Sequence, residues 1–214
     1  MKVKICGIMS EEAALSASDS GADFLGFVFA ESKRKVSPEK AASIIQQLPE
    51  HVKTVGVFVN ESYENIVRIA ETANLDIIQL HGDETQDFCK RLPYPVIKAF
   101  SIKEQDNLNE LANYDCDYFL VDSPGEKYRG GSGIPFDWSL LENLKIPRDK
   151  IILAGGLDLE NVKKAISVVR PAVVDVSSGV ETNGIKDVKK IQEFLAAAKL
   201  EEREHIGSIH ITKY

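Results

Sequence analysis

The chain has 214 residues, of which 43 % are hydrophobic, and a formal net charge of −7. The length suits one domain, near the short end for a complete eightfold barrel, and the apolar content supports a substantial core. The acidic balance disfavours a nucleic-acid binder, which normally carries a basic face, yet leaves an anionic substrate open because backbone dipoles bind phosphate locally. Strand one is expected at residues 3–6, ending at Gly7, and Ser10 caps a helix through EEAALSASDS that Gly21 stops. Strand two is expected at 23–29, and Ser37-Pro38-Glu39 opens the second helix with proline in its first turn. Strands then recur at 51–59, 76–80, 94–99, 116–121, 150–154 and 172–176. Helices recur at 62–73, 84–91, 104–112, 137–144, 159–166 and 186–198.

Eight strands in strict alternation with eight helices imply a parallel sheet with helical crossovers. The strands are apolar almost throughout, so both sheet faces are covered. Eight units favour closure, giving the fold class α/β, a single (β/α)8 TIM barrel. The barrel is assigned to residues 1–199, and the charged tail 200–214 is expected to be partly disordered. Cys6, Cys89 and Cys116 show no paired spacing, so a disulfide framework is not expected and a reducing, cytoplasmic setting is. The N-terminus MKVKICGIM lacks a signal-peptide core, and no run approaches the ~18 apolar residues of a membrane helix. A monomer or a homodimer is compatible with this pattern, with neither membrane nor nucleic acid as partner.

In a barrel of this kind the active site lies where the strands end, here at Cys6, Phe29, Asn60, His81, Phe100, Asp122, Gly155 and Ser177. Period-two alternation places Lys4, Gln79 and Asp175 one layer below that mouth. Strands one and eight are neighbours on closure, so Lys4 is expected to pair with Asp175, since neither charge is cheaply buried alone. Gly155-Gly156 after strand seven and Ser177-Ser178-Gly179 after strand eight expose backbone N–H groups at the recurrent phosphate site of barrels. The long segment 123–136, with Gly130-Gly131-Ser132-Gly133, is expected to act as a lid.

Cys6 stands out from the other cysteines because it ends a strand at the mouth beside Lys4, where a thiolate can serve as base or nucleophile. Asp122 is either a brace for its loop or a general acid. His81 is expected to brace Gly82 or to make a minor substrate contact. Within Lys33-Arg34-Lys35, Arg34 suits a planar carboxylate, which it can bind with two parallel hydrogen bonds. No zinc spacing, GxGxxG or Walker pattern occurs, so neither metal nor nucleotide cofactor is expected. Two rival readings remain: a Schiff-base aldolase or lyase using Lys98, and a non-catalytic sensor of a phosphorylated metabolite.

The segments KICGI (4–8), GADFLGFVF (21–29), SKRKVSP (32–38), VGVFVN (55–60), QLHGDE (79–84) and VIKAF (96–100) follow one another in this order. GGSGIPFDW (130–138), LAGGL (153–157) and DVSSGVE (175–181) complete the series. Together the segments resemble the phosphoribosylanthranilate isomerase family over almost the whole chain to about Ala198. The resemblance implies the third dedicated step of tryptophan biosynthesis. This is the cofactor-free Amadori rearrangement of N-(5′-phosphoribosyl)anthranilate to 1-(2-carboxyphenylamino)-1-deoxyribulose 5-phosphate. It further implies Cys6 as general base, Asp122 as general acid and Arg34 at the anthranilate carboxylate. Phosphate is then expected near Gly156, Ser178 and Gly179, with Asp175 contacting the sugar or organising the site.

Overall fold

The computed structural model describes residues 1–102, 110–123, 137–141, 144 and 146–210, the last ten as backbone only. Eight parallel strands close into a barrel in sequence order. They are β1 (Lys2–Cys6), β2 (Phe24–Val28), β3 (Lys53–Phe58) and β4 (Ile77–Leu80), then β5 (Val96–Ser101), β6 (Tyr118–Asp122), β7 (Ile151–Leu153) and β8 (Val173–Val176). The α-helices described from end to end are α1 (Glu11–Asp19), α2 (Pro38–Ile45), α3 (Tyr63–Ala73), α4 (Gln86–Arg91), α5 (Val162–Val169) and α6 (Val188–His210). A short antiparallel hairpin, β9 (Glu181–Thr182) and β10 (Ile185–Lys186), lies between β8 and α6.

Local chemistry explains the element starts. Ser10, Ser37, Ser62 and Thr85 each accept a hydrogen bond from the backbone N–H three residues on, and Pro38 opens α2. Aspartates at the entries of β2, β4 and β6 tie each strand to its predecessor. Asp23 accepts from Val3 N (2.8 Å), Asp76 from Thr54 N (2.8 Å) and Asp117 from Val96 N (2.8 Å). These contacts satisfy donors at the closed, N-terminal end of the barrel and fix the parallel register there.

Two apolar clusters follow from strand alternation. Phe24, Val55, Ile77, Ile97, Leu120, Ile152 and Val173 fill the barrel's interior. Alternate residues, such as Ile5, Leu25, Ile78, Phe119 and Val174, pack outward under the helices. The barrel is therefore plugged below, and its C-terminal mouth is left free to hold a ligand.

Some expected boundaries move. The helix expected at 159–166 begins at Val162, because Asp158 Oδ1 accepts from Glu160 N (2.9 Å) and Asn161 N (3.0 Å) and turns the chain first. The helix expected at 186–198 begins at Val188 and continues to His210. Of the helix expected at 137–144, the described residues Trp138–Leu141 form a 3₁₀ turn. The segment expected as the fifth helix, 104–112, and the lid at 123–136 lie largely outside the described residues.

Candidate active site

A cavity of about 680 Å³ opens at the C-terminal mouth, within the ~300–1,000 Å³ of small-ligand sites. It brings together Cys6, Arg34, His81, Asp122, Asp175, Gly155, Gly156 and Ser178 among its lining residues. Gly179 is not in that lining. A Cβ there would strike the carbonyl of Leu157 and come within 3.0 Å of Asp158 Cα, so this glycine lets the loops after β7 and β8 pack together.

Register between β1 and β8 sets Lys4 opposite Asp175, and their side chains meet at 2.9 Å with Lys4 fully buried. The Lys4 ammonium also attracts the neighbouring Cys6 side chain in its thiolate form. Burial alone would lower the Lys4 pKa, but the Asp175 carboxylate and Cys6 outweigh it and hold the value above the ordinary range. Burial likewise pushes the Cys6 thiol up, and the attraction of Lys4 and, more weakly, Lys186 only partly offsets it. Gly26 makes the space for this thiol: a Cβ on it would lie 2.8 Å from Cys6 Sγ.

His81 does not brace Gly82. That N–H is held by Glu84 Oε2 (2.9 Å), and the His81 ring turns inward instead. Gln79 Nε2 lies 3.1 Å from His81 Nδ1. With the amide nitrogen as donor, the ring hydrogen sits on Nε2, 3.5 Å from Asp122 Oδ2 and just beyond a good hydrogen bond. Three buried polar atoms at this mouth have no hydrogen-bond partner among the described residues: Gln79 Oε1, His81 Nε2 and Asp175 Oδ1. All three belong to residues lining the cavity. A buried orphan polar atom costs about 1–3 kcal/mol, so a ligand bearing several hydroxyls suits this wall.

Lys98 is excluded from the mouth. It is 2 % exposed, pairs with Glu84 Oε2 (3.2 Å) and donates to the Gly82 carbonyl (2.7 Å) on the helix side of the sheet. The Schiff-base reading loses its nucleophile. Arg34 does turn over the mouth, where Glu181 binds its Nε (2.6 Å) and Nη2 (2.9 Å). Glu181, Lys186 and Glu84 were not anticipated from the sequence. Among the described residues no group of three or more His, Cys, Asp and Glu side chains could hold a metal ion, and no helix is long and apolar enough to cross a membrane.

The family model for N-(5′-phosphoribosyl)anthranilate isomerase matches residues 3–197. A relative of that name from Bacillus cereus (strain B4264) is 52 % identical over 200 residues, 93 % of this chain and 98 % of the relative. The chain belongs to the N-(5′-phosphoribosyl)anthranilate isomerase family. It is an isomerase of tryptophan biosynthesis, built as a TIM barrel. Among solved isomerases of this family, monomers generated from the dimeric Thermotoga maritima protein superpose with a TM-score of 0.82 at 42 % identity, covering 93 % of this chain and 98 % of that one. A family member in complex with reduced 1-(o-carboxyphenylamino)-1-deoxyribulose 5-phosphate superposes equally well, with a TM-score of 0.82, 42 % identity and the same coverage of 93 % and 98 %.

Proposed function

We propose that this isomerase performs an Amadori rearrangement with Asp122 as general acid and Cys6 as general base. The substrate is N-(5′-phosphoribosyl)anthranilate. Asp122 donates a proton to the furanose ring oxygen, the C1–O bond breaks, and the anthranilate nitrogen's electron pair forms the C1=N bond of a Schiff base. Cys6 thiolate removes the proton from C2, and the electrons move onto nitrogen to give an enolamine. Tautomerisation delivers the C2 ketone, 1-(2-carboxyphenylamino)-1-deoxyribulose 5-phosphate. Each proton transfer contributes about 10²–10⁴-fold to the rate.

The observation that carries this reading is that one cavity, plugged below, is lined by both the Cys6 thiol and the Asp122 carboxyl. The remaining lining divides according to the substrate's parts. Arg34 offers a planar cation to the anthranilate carboxylate. Asp175, Gln79 and His81 offer unsatisfied polar atoms to the sugar hydroxyls. Gly155 and Gly156, with φ of +85° and +64°, turn the loop after β7 so that backbone can approach the phosphate, beside the 3₁₀ turn Ser178–Val180. Gly179 supports that cradle from behind.

The test is the disappearance of phosphoribosylanthranilate fluorescence. Cys6→Ala and Asp122→Ala are each expected to lower kcat by at least about 10²-fold while far-UV circular dichroism is unchanged. Near-normal turnover in either variant removes that residue from its role.

A further inference from the structure

Lys186 ends the small hairpin that follows β8, and its side chain is only 3 % exposed. Its ammonium donates to Glu181 Oε1 (2.6 Å), to the Ser177 carbonyl (2.9 Å) and, at the limit of contact, to Ser177 Oγ (3.5 Å). Ser177 Oγ in turn donates to the Cys6 carbonyl (3.1 Å). Lys186 thus locks the hairpin to the exits of β8 and β1 at once.

Glu181 spends both its oxygens on Arg34, occupying Nε and Nη2. Arg34 Nη1 has no hydrogen bond among the described residues, and the side chain lines the cavity. The guanidinium stem passes close over Gly7, where a Cβ would come within 2.5 Å of Arg34 Cδ. One edge of the fork is therefore clamped while the Nη1 side remains available. The charges matter equally. A lone Arg34–Glu181 pair would be neutral and would attract a carboxylate weakly, whereas the buried Lys186 cation restores one net positive charge to the cluster.

We propose that Glu181 and Lys186 are positioning residues for the substrate carboxylate: the hairpin clamps Arg34 so that its Nη1 edge faces the cavity, and Lys186 returns the charge that Glu181 cancels. The proposal rests on the reading that Arg34 meets the anthranilate carboxylate. A preset, charge-assisted contact is worth more than the same arginine on a free stem, because less rotamer freedom is lost on binding.

Two ligands separate this from a purely structural role. One is reduced 1-(o-carboxyphenylamino)-1-deoxyribulose 5-phosphate, and the other is the same molecule without the carboxyl group. Both are titrated calorimetrically into the full chain and into Lys186→Met, Lys186→Arg and Arg34→Ala. Lys186→Met is expected to weaken the carboxylate ligand by about 10- to 100-fold, the scale of one charge-assisted contact, while leaving the other within about threefold. Lys186→Arg is expected to recover most of the loss. Should Lys186→Met fail to fold, Lys186→Gln keeps a donor without the charge and is expected to show the same selectivity. Equal weakening of both ligands, or of neither, in the Lys186 variants overturns the proposal. Arg34→Ala reports separately on the underlying reading: if it too fails to discriminate, Arg34 does not meet the carboxylate; if it discriminates, only the positioning role is lost.

Discussion

Lys4→Met removes the cation from a fully buried ion pair at the base of the mouth. Asp175 is 8 % exposed, and its Oδ2 loses the 2.9 Å contact while Oδ1 already has no partner among the described residues. Removing one member of a buried pair costs about 3–5 kcal/mol, because the survivor is left as an uncompensated charge. For a domain of this size each kcal/mol moves Tm by about 2–4 °C, so a fall of roughly 6–20 °C is expected. Urea unfolding at neutral pH measures the free energy directly. The double variant Lys4→Met/Asp175→Leu replaces the pair with apolar groups of similar volume. It is expected to return to within about 1 kcal/mol of the parent, since desolvation and attraction nearly cancel for such pairs. The interpretation of Lys4 as a charge that exists to neutralise Asp175 is refuted if Lys4→Met costs under about 1 kcal/mol, or if the double variant is no more stable than the single one.

Four further outcomes follow from the geometry. Burial holds the Cys6 thiol above its ordinary value of 9.0, so alkylation of the Cys6 peptide by iodoacetamide should keep accelerating through pH 9; a plateau below pH 8 contradicts this. Glu181, although burial raises its pKa, is held down to about 2 by Arg34 and Lys186. A depressed carboxylate stabilises above its unfolded value of 4.5 and loses that contribution as pH falls towards 2, so Glu181→Gln should flatten the stability–pH curve in that window. Gly26→Ala drives a methyl to 2.8 Å from Cys6 Sγ, and is expected to cost about 1–3 kcal/mol and to lower kcat at least tenfold; kcat within twofold of the parent means the thiol's position is not critical. Lys98→Met strands the buried Glu84 and should cost about 3–5 kcal/mol in urea unfolding, while borohydride with a carbonyl substrate should trap nothing on Lys98 in the parent.

The barrel was legible because its signals are long and repeated. Apolar strands covered on both faces, serine caps and eight exits all follow from local rules, and register turns the Lys4–Asp175 pair from an alternation argument into a 2.9 Å contact. The hairpin was not legible by the same means, since strands of two residues carry no periodicity. Its one signal was Asn183-Gly184, a dipeptide suited to the positive φ values of 54° and 79° observed there. Without that turn, Lys186 reads as the solvated start of a helix rather than as a buried cation. Glu84 was hidden similarly: taken as the first helical residue, it precedes the Thr85 cap and turns back to hold Asn60 N (2.7 Å) and Gly82 N (2.9 Å). His81 is thereby released from bracing its own loop and can face Asp122.

On the proposed reading, these placements let a chain with a net charge of −7 accommodate a substrate bearing both carboxylate and phosphate. The mouth is not flooded with positive charge. Lys4 is cancelled by Asp175, and Arg34 and Lys186 share Glu181, so these five groups together carry one surplus positive charge. Affinity must then come from oriented donors at short range: one edge of a clamped guanidinium, and backbone groups in loops opened by Gly155 and Gly156. Short-range donors in a cavity are screened far less than an extended surface field. It follows that kcat/KM should fall only a few-fold between low and physiological salt. A steep decline would instead mean that long-range steering, and not the fixed geometry of the mouth, brings the substrate in.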